Sequence, residues 1–149
     1  MGNYTPPVGF HFRVEVLGLS PHGNDVRFTE VSGLSVELGT LEVPEGGENR
    51  FVQKFPAGNK YSELVLKRGL LTDSGIAEWI SRCINDFIIE PKNIDVMLLN
   101  ENHEPLITWH LVNAYPTRWS VSDFNSTANA IAIESLQFYY QYFTTDKNE

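Results

Sequence analysis

A single cysteine, Cys83, leaves nothing to pair with inside the chain, so no disulfide framework holds this fold. It falls at an apolar position of an expected helix and reads as a reduced core thiol. Long hydrophobic runs are also missing. No segment approaches the roughly 18 apolar residues of a membrane span, and the opening MGNYTPPVG has neither the basic start nor the apolar stretch of a signal peptide. The expectation is synthesis and first folding in the cytoplasm, with no membrane anchor. Positive charge is scarce: 11 Lys and Arg face 19 Asp and Glu, for a net charge of −8. That balance argues against non-specific binding to nucleic acid or anionic membranes, which need a basic face, and leaves room only for a local basic patch. The 4 histidines, His11, His22, His103 and His110, pair with no second His or Cys at metal-ligand spacing, and no HExxH is present.

What remains is an ordinary globular composition, 42% hydrophobic and 20% charged in 149 residues. A chain of this size forms one domain, here 1–149, and buries about 68–70% of its unfolded surface without staples. Residues 1–9 read as an N-terminal arm. In FHFRVEVL, Phe10, Phe12, Val14 and Val16 alternate with His11, Arg13 and Glu15, the signature of a half-buried strand. VRFTEV and LSVEL continue as strands around a bend at Gly33. Leu34, Val36 and Leu38 share one parity and Leu41 and Val43 the other, which predicts a bulge near Gly39 that returns the apolar residues to one face. Residues 44–58 read as a long loop, rich in Gly and Pro yet carrying Phe51, Val52 and Phe55, and loops of that length are commonly functional.

YSELVLKRGLL follows as a strand with Leu64 and Leu66 on one face and Tyr61, Glu63, Val65 and Lys67 on the other. Asp73 or Ser74 can cap a helix over 74–89, whose stripe is Ile76, Ile80, Cys83, Ile84 and Phe87 with Trp79 beside it. NIDVMLL and PLITWHLV form a hairpin, and AIAIESLQFYYQYF is a final strand, aromatic on both faces. Such a strand is either central in a sheet or closed by a neighbouring subunit, because at an open edge it invites aggregation. The fold class is mainly β: a β-barrel or sandwich of about seven or eight strands with one flanking α-helix and a long extended loop.

Chemistry is thinly represented. SPHGND places Ser20, His22 and Asp25 in one turn, which is best read as a solvated hairpin loop, since a nucleophile, base and orienting acid must converge in space. EVSGLS lacks the G-x-S-x-G elbow, and PEGGEN lacks the Lys and Ser/Thr of a phosphate cradle. No catalytic, cofactor or metal residues are assigned, and an enzyme is not supported. Charge is the pattern that stands out. Glu42, Glu45 and Glu48 precede Arg50, Lys54, Lys60, Lys67 and Arg68, with Glu63 alone among the bases. Either this is chance clustering on a solvated surface or it is self-complementary, the basic stretch of one subunit meeting an acidic region of the next. A heterologous contact of that kind closes a ring or propagates a filament.

Several segments then carry a resemblance in their order and spacing: FTEVSGL (28–34), PEGGEN (44–49), KYSELVLKRGL (60–70), Trp79, WHLVNAYPTRW (109–119) and NAIAIESLQF (129–138). Together they resemble, nearly end to end, the tail tube proteins of contractile-tailed phages and of extracellular contractile injection systems. The resemblance implies a subunit that self-assembles into hexameric rings, stacked as the hollow inner tube of a contractile tail. The implied partners are a sheath protein, baseplate and tube-initiating proteins, a terminator or cap, and a lumenal cargo of protein or DNA, with no cofactor. It implies synthesis in a bacterial cytoplasm and a final place in a phage tail or an extracellular or cell-associated injection particle. The 44–58 loop and the charged strand would then serve subunit contacts through Glu45, Glu48, Arg50, Phe51, Lys54, Phe55, Lys60, Glu63, Lys67 and Arg68. An alternative of the same fold is a tube-initiating or baseplate-associated ring protein, although a short chain without added domains favours the main tube.

Overall fold

The computed structural model describes residues 11–19, 26–44, 52–71, 74–122 and 132–147, with the backbone alone at 43–44 and 52–56. Its elements run β1 (His11–Val16), β2 (Arg27–Phe28), β3 (Glu30–Ser32), β4 (Val36–Pro44), β5 (Val52–Tyr61), β6 (Leu64–Gly69), α1 (Gly75–Asn85), β7 (Lys92–Leu99), β8 (Pro105–Val121), β9 (Ile133–Tyr139) and β10 (Tyr142–Lys147). The described residues thus hold more strands than the seven or eight expected. The excess comes from the division of VRFTEV into β2 and β3, from β5 in a stretch read as loop, and from a break in the last segment.

Eight strands form one sheet in the order β2-β1-β7-β8-β9-β6-β3, with β10 also beside β8, while β4 and β5 pair apart from it. The sheet is not a closed barrel, since its path ends at β2 on one side and β3 on the other. Those two ends are consecutive in the chain, separated only by Thr29, whose N–H and Oγ1 both donate to the Lys67 carbonyl at 2.9 and 3.0 Å. The sheet therefore curls until its two rims lie side by side. Its concave face holds the core: Val14, Val16, Phe28, Leu64, Leu66, Ile94, Val96, Leu111, Leu136 and Phe138, closed by Ile76, Trp79, Ile80 and Cys83 of α1. Cys83 is a buried free thiol, as its position predicts.

Ser74 caps α1, its Oγ accepting the Ala77 N–H at 3.0 Å. The helix stops at Asn85, short of residue 89. Phe87 turns left-handed at φ 54, and the Ile88 N–H reaches back to the Arg82 carbonyl at 3.0 Å. The expected apolar stripe is therefore one turn too long: Ile84 is half exposed and Phe87 is 83% exposed. Trp79, placed beside the stripe by sequence, is instead fully buried, stacked on Phe138 with ring centroids 5.6 Å apart.

β8 is the longest strand and holds the sheet together. Its first part pairs with β7 on one side and β10 on the other, and its last part pairs with β9. NAYPTRWSV, unassigned from sequence, continues it, with Pro116 tolerated where the register shifts between Pro116 and Arg118. The final aromatic segment is not one smooth strand. Tyr139 opposite Tyr115 and Tyr142 opposite Val112 keep a single register, so β9 and β10 are two lengths of one ribbon interrupted at Tyr140–Gln141. β9 is central, between β8 and β6, as one of the two sequence alternatives requires.

Candidate subunit interface

The same broken-ribbon logic builds the most prominent projection. Ser32 opposite Val65 and Val36 opposite Tyr61 also share one register, so β3–β4 and β5–β6 are two halves of a single long hairpin. Its root lies in the main sheet as β3 and β6. Its outer half, β4–β5, leaves the sheet as a free two-stranded arm about 30 Å long at the usual rise per residue. Residues 52–58, read from sequence as loop, are strand, and the tip at 45–51 lies outside the described residues.

Gly33 makes the break possible. It sits at φ 88, and a Cβ there would come within 1.8 Å of the Glu63 carbonyl oxygen. Gly33→Ala is expected to cost roughly 2 kcal/mol or more, combining a left-handed backbone with a main-chain clash. Urea unfolding of the variant tests this, and an unchanged midpoint would mean the root yields without strain. Around the break, the Ser35 and Ser62 hydroxyls bond at 2.8 Å, and the Tyr140 hydroxyl donates to the Gly33 carbonyl at 3.0 Å. Burial, with a contribution from Tyr61, pushes the Tyr140 phenol up to about 12, so it serves as a neutral donor. Tyr61 packs edge-on against Phe143 and Tyr140 at 5.2 and 5.9 Å.

A bulge does occur at Gly39, but the extra residue lies in β5. From Leu38 to Thr40 the chain advances two residues while the partner advances from Asn59 to Pro56, with Gly58 at φ 98 inside the bulge. Alternation along β4 is therefore uninterrupted. Val36 and Leu38 stay on one face and Leu41 on the other, so the expectation of a single apolar face is not met. Leu38 is 62% exposed and Leu41 58% exposed. The arm thus offers exposed apolar side chains on both faces.

The charged residues singled out in sequence have a different fate. Glu42 stands opposite Lys54 and Glu37 opposite Lys60 across the arm, and Glu30 opposite Lys67 at its root, where Nζ and Oε2 are 3.8 Å apart. Opposite charges at paired positions support the hairpin register. Part of the charge pattern visible in the sequence thus faces opposite charge across the hairpin of its own protomer. Glu63 accepts a hydrogen bond from Gln137 of β9, and Lys60 is exposed. Glu45, Glu48, Arg50 and Phe51 lie outside the described residues, as do Ser20, His22 and Asp25, and only the backbone is described at Lys54 and Phe55.

Arg68 is not at the surface. It is 3% exposed and bonds Glu134, itself 1% exposed, at 2.7 Å through Nε, while Nη2 reaches Ser74 Oγ at 2.9 Å. Its guanidinium lies 4.7 Å over the Phe28 ring, and the Trp119 indole donates to the other Glu134 oxygen at 2.8 Å. This network ties β6, β8 and β9 to the cap of α1. The signal was in the sequence: Arg68 has the parity of Leu64 and Leu66, the inward face. Sequence reasoning did not single out Val36, Leu38 and Leu41 as exposed apolar residues, because a presumed bulge in β4 gathered the apolar side chains onto one face.

Comparison with known proteins then places this architecture. Residues 8–144 match the family profile described as T4-like virus tail tube protein gp19. Among solved structures, a chain of the anti-feeding prophage (AFP) baseplate, 6-fold symmetrised, aligns with TM-score 0.78 and 28% identity over 99% of this chain and 98% of its own. A chain of the sheath–tube complex of the extracellular contractile injection system PVC, in its extended state, aligns at 0.74 and 27%, covering 99% and 95%. Hcp1 from Flavobacterium johnsoniae shares the fold, at 0.54 with 12% identity, covering 93% and 97%. Comparison with curated protein sequences finds no match. The chain belongs to the T4-like virus tail tube protein family, and it is a structural tube subunit of a contractile tail or injection system.

Proposed function

We propose that this subunit forms hexameric rings that stack into a hollow tube, and that the β4–β5 arm makes the contacts between subunits. The observation that carries the reading is the arm's exposed apolar surface on two faces, Leu38 on one and Leu41 on the other. A two-stranded ribbon is marginal in water by itself, so the arm gains its order by docking. The neighbouring AFP chain, taken from a 6-fold symmetrised assembly, supports the ring, and the PVC chain, taken from a sheath–tube complex, supports a surrounding sheath. A baseplate below and a cap or terminator above complete the set of partners, matching assemblies in which similar chains occur. The tube is the conduit for protein or DNA, and the net charge of −8 disfavours sticking of a polyanion. Among the described residues, no helix is long and apolar enough to cross a membrane. The tube works in a phage tail or an extracellular injection particle.

The interface residues proposed from sequence fall into two groups. Lys60 and Lys67, with the tip residues Glu45, Glu48, Arg50 and Phe51 and the arm residues Lys54 and Phe55, remain candidates for direct contact. Glu63 and Arg68 position the root of the arm. Electron microscopy of the purified protein across a concentration series, with sedimentation in parallel, is the test. Stacked rings or tubes are expected, and Leu38→Asp with Leu41→Asp should give a folded protein that forms none. Tubes of normal length from that double variant would remove the arm from the interface. The second reading, a tube-initiating or baseplate-associated ring, is favoured by the baseplate chain among the similar structures. It predicts a closed oligomer that does not grow with concentration.

A further inference from the structure

His110 stands on the outward face of the sheet, in the middle of β8, with a carboxylate on each side. Nδ1 is 2.8 Å from Asp95 Oδ1 of β7, and Nε2 is 2.8 Å from Asp146 Oδ2 of β10. A neutral imidazole carries one N–H and can satisfy one of these acceptors, whereas imidazolium donates to both. The geometry is therefore that of a charged histidine bridging three strands, with Asp95 directly opposite it in β7 and Asp146 diagonal to it in β10. Among the described residues, the other charges on this face belong to β1, where Glu15 stands opposite Asp95 and is itself held by Arg13 at 2.8 Å.

β10 needs such a fastening. Five of its six residues are exposed, and Phe143 alone packs on the core. Among the described residues, β8 is its only strand neighbour. Segments with so little buried surface open locally at low cost.

We propose that Asp95, His110 and Asp146 form a proton-dependent clasp that fastens the C-terminal strand β10 to the sheet and releases it as the medium becomes alkaline. The two carboxylate bonds hold the His110 pKa above its usual 6.5, with the Asp95 bond the larger influence and Asp146 second. A raised folded-state value contributes stability that is complete below the unfolded value and is lost as pH rises through the folded one. The window of release thus begins near 6.5 and extends upward. On release, Phe143 is freed to leave Tyr61 at the root of the arm, so the clasp reaches the projecting hairpin as well.

Hydrogen exchange of the full chain, at about pH 6 and about pH 8.5, reads the clasp directly, with sedimentation confirming the same assembly state at both. Protection factors of β10 amides, taken relative to β7, are expected to fall about fivefold on the alkaline side, the scale of an exposed charge pair. In Asp146→Asn and in His110→Gln that ratio should be low at both pH values. Nitrogen NMR of the His110 ring should show both nitrogens protonated past the ordinary histidine range. A ratio flat with pH in the unaltered protein, a fall that persists in both variants, or a His110 that titrates at or below the ordinary value would each overturn the proposal.

Discussion

Trp79→Ala is expected to lose about 3–5 kcal/mol of unfolding free energy, the range for removing a large buried aromatic. For a chain of this length, that lowers the melting temperature by roughly 6–20 °C. Three features of the site set the size. The side chain is completely buried, it stacks on Phe138 of the central strand β9, and its indole N–H donates to the Glu90 carbonyl at 2.9 Å in the segment that leads into β7. One residue therefore fixes the helix to the sheet and also fixes how the chain leaves the helix. Trp79→Phe separates the two roles: it keeps most of the stacking and loses the hydrogen bond, for roughly 1–3 kcal/mol. Calorimetry on both variants decides the matter. A loss under about 1 kcal/mol for the alanine variant would mean that the helix is replaceable as a lid on the core.

Glu134→Ala is the second large effect, expected to cost roughly 3 kcal/mol, the lower end for breaking a buried ion pair. The lower end applies because Arg68 keeps Ser74, while the guanidinium loses its carboxylate at 2.7 Å and Trp119 loses its acceptor at 2.8 Å. Replacing both charges, Arg68→Met with Glu134→Leu, should be far milder than the single change. Two desolvated charges are then exchanged for packed apolar groups. Urea unfolding with an unchanged slope measures both. If the double variant were as unstable as Glu134→Ala, the network would be holding geometry that apolar packing cannot supply. The same burial means that charge reversal at Arg68 acts on folding first, so Lys67 is the cleaner position for probing contact electrostatics.

Much of the architecture was legible where period and burial coincide. Val14, Val16, Leu64 and Leu66 alternate in sequence and are buried in the structure, and Ser74 caps the helix that the Ile76–Ile80–Cys83 spacing announces. The misreadings share a physical cause. Alternation tells which residues lie on one side of a strand, and it cannot tell whether that side faces the core, a neighbour or water. Leu38 and Leu41 were expected on one face and lie exposed on two, while Arg68 looked like surface and is buried. The bend at Gly33 was announced by the glycine itself, whereas the break at Tyr140–Gln141 escaped for a related reason: it leaves the register intact, so no change of period marks it. The charge clustering was real, but its meaning depended on which strands face each other, and β4 faces β5.

The arm carries a last consequence, for kinetics. In the proposed assembly, a ribbon that the described residues tie to the body at its root samples open forms in the free subunit, and the entropy of ordering it falls due at the first docking event. An incoming copy that meets a neighbour whose arm is already seated finds half of its surface prepared. Early oligomers are then costly and later additions easy, so growth shows a lag and a threshold concentration. Any scaffold that presents a seated ring would abolish both, which makes a tube of this design slow to start in solution and quick to extend from an end.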